Sequence, residues 1–161
     1  MKTKQELTQF VKFPFSLYDK SSNWVPPLIN DELESMDPEK NPVFKNAEAR
    51  FFLAFKGKKP VGRIAAIINH IEINEQGKPK MRFGWFDAID DLEVTKALIA
   101  QVEEIGRAND LKWIEGPVGF SNMEKAGMLI EGFEYLNTMI TWYNHPYYKE
   151  HFEKLNFELF F

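Results

Sequence analysis

Several places in this 161-residue chain bring together residue types that could move a proton or hold a ligand. Asp87 closes the apolar run Arg82–Phe83–Gly84–Trp85–Phe86–Asp87. A carboxylate whose pKa is raised by burial could act there as a general base, against the commoner use of Asp at such a turn as a cap. His70 and Glu72 stand two apart, as an acid–base couple on one strand face would, or as a solvated edge beside a turn. Ser121 and Asn122 follow a short strand and could face a ligand or cap a helix. Arg63 falls inside a strand-like run and needs a carboxylate partner if buried. His145 and His151 share no helical face with a third ligand, so no metal site is expected. Trp85, Phe86, Trp113, Phe120, Trp142, Tyr147 and Tyr148 could line an apolar cleft, with core packing as the default.

The elements that must position these groups are legible as periodicities. Arg50–Phe55 and Val61–Ile68 read as strands around the turn Lys56–Gly57–Lys58–Lys59–Pro60. The second is apolar on both faces and should be central. The chain continues through Asn69–Ile73 to a polar turn and a third strand, Arg82–Asp87, giving an antiparallel meander. Asp91–Ala108 carries Val94, Leu98, Val102 and Ile105 at helical spacing, and Lys112–Pro117 is the strand after it. In an open sheet of this kind the strand end and the helix start face a ligand crevice. Before the sheet, Thr3–Tyr18 should be helical up to a kink at Pro14, and Ile29–Met36 a short helix. After it, we expect a short helix near Asn122 that stops at Gly132–Phe133, a strand over Leu136–Tyr143, a helix over Pro146–Leu155 and a strand over Phe157–Phe161.

Length and composition bound the classes. At this size one domain over residues 1–161 is expected, with a real core. A net charge of −4 provides no basic footprint for nucleic acid. Without cysteine there is no disulfide, thiolate metal site or cysteine nucleophile. No apolar run reaches membrane-spanning length, so no membrane partner and a cytoplasmic location are expected. The apolar end Phe157–Phe161 and the abrupt start suggest a piece of something longer, or edges completed by a second copy in a homodimer.

The element order resembles that of the GNAT acyltransferases, and the chain is most similar to an uncharacterised bacterial group of GNAT-like proteins. The pieces that carry this are Phe13–Pro14–Phe15–Ser16–Leu17–Tyr18, Trp24–Val25–Pro26–Pro27–Leu28, Val61–Gly62–Arg63–Ile64–Ala65–Ala66, Gly116–Pro117 with Phe120–Ser121–Asn122, Gly132–Phe133, and Tyr143–Asn144 with Pro146–Tyr147–Tyr148. The resemblance implies an α+β fold with a mixed, mostly antiparallel central sheet flanked by helices. It implies transfer of an acyl group from acetyl-CoA or another acyl-CoA to a small-molecule amine. Asp87 would be the base, and Tyr147 or Tyr148, one turn from the family's usual phenol position, the proton donor. Phe86, Asp87, Ala88, Asn122 and Asn144 would line the cofactor crevice, with the Asp87 or Ala88 N–H polarising the thioester.

One feature of the crevice departs from the family pattern. Where GNAT enzymes carry a glycine-rich loop that cradles the CoA pyrophosphate, this chain has Asp87–Ala88–Ile89–Asp90–Asp91–Leu92–Glu93. It holds no glycine and no basic residue. Asp90 and Glu93 fit a capping box that would occupy the N–H groups a phosphate needs. Each carboxylate also opposes an anion by about 4 kcal/mol at ~4 Å and an effective dielectric near 20. The alternative to an acyltransferase is therefore a binding module of the same fold, or one lobe of a larger acyltransferase-like protein.

Overall fold

The computed structural model describes residues 3–18, 23–138 and 141–158. Thr3 opens the first helix with a capping box: its hydroxyl accepts the Glu6 N–H while the Glu6 carboxylate accepts the Thr3 N–H. Helix α1 (Lys4–Lys12) buries Phe10 and Val11, and Pro14 begins the four-residue α2 (Pro14–Leu17). After the Pro26–Pro27 link comes α3 (Ile29–Ser35), followed by a 3-10 turn over Pro42–Lys45.

Four strands form one sheet in the order β1 (Ala47–Lys56), β2 (Lys59–Asn69), β3 (Lys80–Ala88) and β4 (Trp113–Glu115). The first three are antiparallel neighbours. Between β1 and β2, Gly57 takes φ 60°, the left-handed conformation that so short a turn demands. Helix α5 (Leu92–Ala108) then crosses over to place β4 parallel to β3. The arrangement is the expected mixed α+β sheet flanked by helices, consistent with a GNAT-like fold.

The helices cover both faces. On one side α5 and α6 (Tyr147–Lys154) bury Val94, Leu98, Ile99, Val102, Tyr148 and Phe152 against Ile64, Ala66, Met81, Phe83 and Phe86. On the other, Phe10 and Val11 of α1 pack with Met36, Ala65, Ile67, Trp85 and Phe120. Each such aliphatic or aromatic side chain contributes about 1.5–3 kcal/mol by leaving water.

A bulge in β3 determines which face its last residues serve. Arg63 pairs with Asp87 and Ala65 with Gly84, so two residues, Trp85 and Phe86, oppose Ile64 alone. Trp85 accordingly sits at φ 46°. Below the bulge Met81 and Phe83 point to the α5 side; above it Phe86 and Ala88 do. The alternation slips by one residue, and Trp85 turns to the α1 side. Beside the bulge β3 and the chain after β4 come unusually close. A Cβ on Gly84 would lie 2.5 Å from the Val118 carbonyl oxygen.

Several expectations are corrected. His70 and Glu72 are not in a strand: β2 stops at Asn69, whose side chain accepts the Ile71 and Glu72 N–H groups and caps the short α4 (His70–Asn74). No helix forms between Asn122 and Gly132, where Gly127 and Gly132 take positive φ. Of Leu136–Tyr143, the described residues are not strand; side-chain bonds from Asn137 to Thr141 shape this loop instead. Phe157 and Glu158 are not strand either, and Leu159–Phe161 lie outside the described residues. The helix cap before α5 is Asp91, not Asp90: Asp91 accepts the Glu93 N–H and pairs with Lys56, while Asp90 turns to His151. Partners distant in the chain distinguish these adjacent carboxylates, so local sequence could not.

Candidate functional site

Asp87 stands one residue before the end of β3, only 5% exposed, on the side the bulge gives it. Its register partner on β2 is Arg63, whose Nε donates to Asp87 Oδ2 at 2.7 Å. The Arg63 guanidinium also donates to the Phe10 carbonyl at 3.1 Å and lies over the Phe10 ring. Thus β2 and α1 together hold the cation that holds the carboxylate. Asp87 caps no helix.

The second oxygen of Asp87 accepts from a residue that periodicity did not single out. Tyr18, just past α2, donates its hydroxyl to Asp87 Oδ1 at 2.6 Å. The Tyr18 oxygen is 3.5 Å from that of Tyr148. Tyr148 in turn accepts the Ala88 N–H at 2.8 Å, and Tyr147 donates to the Ala88 carbonyl at 2.7 Å. Arg63, Asp87, Tyr18, Tyr148 and the Ala88 peptide therefore form one connected network, drawn from β2, β3, the end of α2 and the start of α6. Burial, followed by the neighbouring Asp87 carboxylate, pushes the Tyr18 and Tyr148 phenols well above the usual tyrosine range. Burial, with Asp90 and Asp87 nearby, also raises Tyr147. All three are kept as O–H groups.

The expected crevice residues separate into two groups. Phe86, Asp87, Ala88, Tyr147 and Tyr148 gather at the upper end of β3. Phe86 itself is core, edge-on to Tyr148 and Phe152. The Ala88 N–H, considered above as a donor to a thioester, is engaged by Tyr148. Asn144 is buried, with its amide spent on the Leu129 N–H, the Leu129 carbonyl and the His145 carbonyl. Asn122 lies at the lower end, accepting from Arg82 at 2.7 Å. There Glu72 is clamped by Arg82 and Lys80 in a buried ion network. Burial alone would raise the Glu72 carboxyl, but the bonds from Arg82 and Lys80 outweigh it and hold it below the usual range. His70, by contrast, pairs with Glu48 at the surface.

The α5 start offers little to a phosphate. Asp91 takes the Glu93 N–H, and Asp90 accepts from His151, whose other nitrogen meets Thr95 at 2.9 Å. The donor set at this helix end does not fit a pyrophosphate, because its own carboxylates fill the place. No cluster of three or more His, Cys, Asp or Glu that could hold a metal occurs among the described residues. No described helix is long and apolar enough to cross a membrane.

A cavity does open beside Asp87 on the α1 side of the sheet. Trp24, Val25, Pro27, Glu32, Trp142 and Tyr143 wall it, Lys125 and Asn137 join them, and Arg63 with Asp87 line it too. Neither the Trp24 nor the Glu32 contribution was evident from spacing, since both come from segments without a chemical motif.

No family model matches this chain, and no solved structure matches it. Among curated proteins, it is 34% identical over 154 residues to Protein YghO of Escherichia coli K12, covering 96% of this chain and 39% of that protein. It is 35% identical over 135 residues to a bacterial ceramide synthase of Caulobacter vibrioides, covering 83% of this chain and 35% of that protein. The chain thus spans less than two fifths of either relative.

Proposed function

We propose that this chain carries an N-acyltransferase site of GNAT type, which moves an acyl group from an acyl-CoA, acetyl-CoA or a longer one, to an amine. The observation that carries the reading is the network on Asp87: a buried carboxylate beside a cavity, with two buried phenols linked to it. The likeness to a protein named ceramide synthase supports it, since a ceramide is an amide and its synthesis forms an N–acyl bond.

The chemistry asked of these residues is modest. An amine in the cavity must lose a proton as its nitrogen bonds to the acyl carbon, and Asp87 is the carboxylate placed to receive it. As the carbon–sulfur bond breaks, the departing sulfur needs a proton, for which Tyr148 and Tyr147 are the neighbouring O–H groups. The products are an amide and a free thiol. Arg63 and Tyr18 hold Asp87 in one orientation, which is where most of the rate gain from positioning would arise. The nucleotide's phosphates have no seat at the start of α5, so that part of the donor must be held by other contacts.

Calorimetry with acetyl-CoA and a long-chain acyl-CoA, followed by thiol release in the presence of an amine mixture, tests the reading. We expect binding of at least one thioester and amine-dependent thiol release that Asp87→Asn abolishes. Absence of binding by either thioester at millimolar concentration would overturn it for this chain and leave a binding module of the same fold.

A further inference from the structure

His151 is a buried titratable side chain that the acyltransfer chemistry does not use. It stands on α6, only 5% exposed, with both ring nitrogens engaged. Nδ1 lies 2.9 Å from the Thr95 hydroxyl of α5, and Nε2 lies 3.2 Å from the Asp90 carboxylate in the turn before that helix. The partners are unlike: Thr95 is fully buried, whereas the Asp90 side chain is 70% exposed. A buried imidazole loses free energy unless its nitrogens are bonded. An apolar side chain would fill the same space without that demand.

The helix that carries His151 needs a directional hold. With eight residues α6 is shorter than the roughly 12 an isolated helix requires, and no side chain caps its start. Tyr147 and Tyr148 are its first two residues. Tyr147 donates to the Ala88 carbonyl and Tyr148 accepts the Ala88 N–H, so the two phenols grip opposite sides of one peptide. Phe152 seats the helix on the sheet, stacked on Phe83 and edge-on to Phe86, but apolar burial is non-directional. The two bonds of His151 are directional. They act one turn after Tyr147 on the same helix face, where the His151 and Tyr147 rings lie 5.2 Å apart.

We infer that His151 is a positioning residue: by tying α6 to Thr95 and Asp90 it fixes the rotation of that helix, and with it the seating of both phenols on the Ala88 peptide. What the phenols are held for rests on the acyltransfer reading, in which they are the proton donors; that they are held follows from the bonds alone. Asp90 orients the ring. A carboxylate only accepts, so the proton sits on Nε2, and in the neutral ring Nδ1 accepts from Thr95. The acidic turn that fills the phosphate place therefore has a second use, in aligning α6.

Native-state hydrogen exchange by NMR distinguishes positioning from stability alone. The Ala88 amide reports phenol seating, because Tyr148 accepts it. The Val102 amide, inside α5, reports wider opening. His151→Leu should speed Ala88 exchange about tenfold relative to Val102. Asp90→Ala, at an exposed side chain, should do so about threefold, and keeps the measurement available if His151→Leu fails to fold. Asp90→Asn, which still accepts from Nε2, should restore wild-type exchange. Equal acceleration at Ala88 and Val102 would overturn the inference, as would an Ala88 amide indifferent to Asp90→Ala. In thiol release, both disruptive variants should lower kcat and leave KM within about twofold, as loss of an interaction made only in the transition state does. If wild type releases no thiol while Ala88 responds as described, the acyltransfer reading fails and the positioning stands. If kcat holds while Ala88 exchange rises, the positioning stands and the phenols are not the proton donors.

Discussion

The Tyr18 hydroxyl donates to Asp87 Oδ1 at 2.6 Å across 69 residues of chain. The bond joins the end of the N-terminal helical segment to the strand end at the centre of the sheet. Because the acceptor is buried and charged, removing the donor leaves it short of one partner. Tyr18→Phe should therefore cost about 1.5–3 kcal/mol in chemical denaturation. A loss under 0.5 kcal/mol would show that Arg63 alone satisfies the carboxylate.

The same environment makes an alkaline prediction. In the folded chain Tyr18, Tyr147 and Tyr148 are pushed upward, by burial first and carboxylates second. A group whose folded pKa exceeds its unfolded value stabilises the fold fully below the unfolded pKa, about 10 for tyrosine, and less as pH rises above it. Stability should thus fall above about pH 10. Absorbance of tyrosinate near 295 nm should show these three of the five tyrosines ionising only together with loss of near-UV circular dichroism. Smooth ionisation of all five before unfolding would contradict the structure.

At the other end of β3 the sign reverses. Bonds from Arg82 and Lys80 keep Glu72 below the usual carboxylate range. Its contribution is full above the unfolded pKa, about 4.3, and is lost as pH falls through the lower folded value. Glu72→Gln leaves Arg82 buried without its anion, while Lys80 keeps Glu115. We expect a loss of about 3–5 kcal/mol at neutral pH, together with a shallower acid limb in the stability profile. A parallel acid limb in mutant and wild type would assign acid unfolding to other carboxylates.

Gly84 supplies a steric prediction. A methyl group there meets the Val118 backbone carbonyl at 2.5 Å, and backbone cannot rotate aside. Gly84→Ala should destabilise by about 1–3 kcal/mol or more, as overpacking does. A melting temperature unchanged from wild type would mean that the segment after β4 yields freely.

Much of the frame was legible in advance, and the failures have a common cause. Strands β1, β2 and β3 and helix α5 announce themselves through apolar spacing, because each buries a face against a neighbour. Around residues 120–145 the chain is held differently. The Asn144 amide clasps Leu129, the Asn23 side chain reaches the Phe133 carbonyl, and the Asn137 N–H meets the Asn23 carbonyl. Such ties between distant residues leave no period in the sequence. Of the site, Asp87, Tyr147 and Tyr148 could be named from position and resemblance. Tyr18, Glu32 and Lys125 could not, since only the folded chain brings them to Asp87. The Asn69 cap, on the other hand, was readable: an Asn before His70–Ile71–Glu72 is an ordinary helix start.

The slip in alternation at Trp85 has a consequence for how this strand can change over time. Below it, Lys80 to Phe83 answer to the sheet and its ion network, and a substitution there registers as lost stability. Above it, Asp87 and Ala88 answer to tyrosines from both ends of the chain, and a substitution there acts on that hydrogen-bonded network while the ladder stays paired. Pairing every residue of β3 without the bulge would instead slip its upper end by one position, set Asp87 opposite Gly62 and carry it to the other face of the sheet, away from Arg63 and its cavity. One irregular step thus lets a single strand serve the ion network at one end and the tyrosine network at the other.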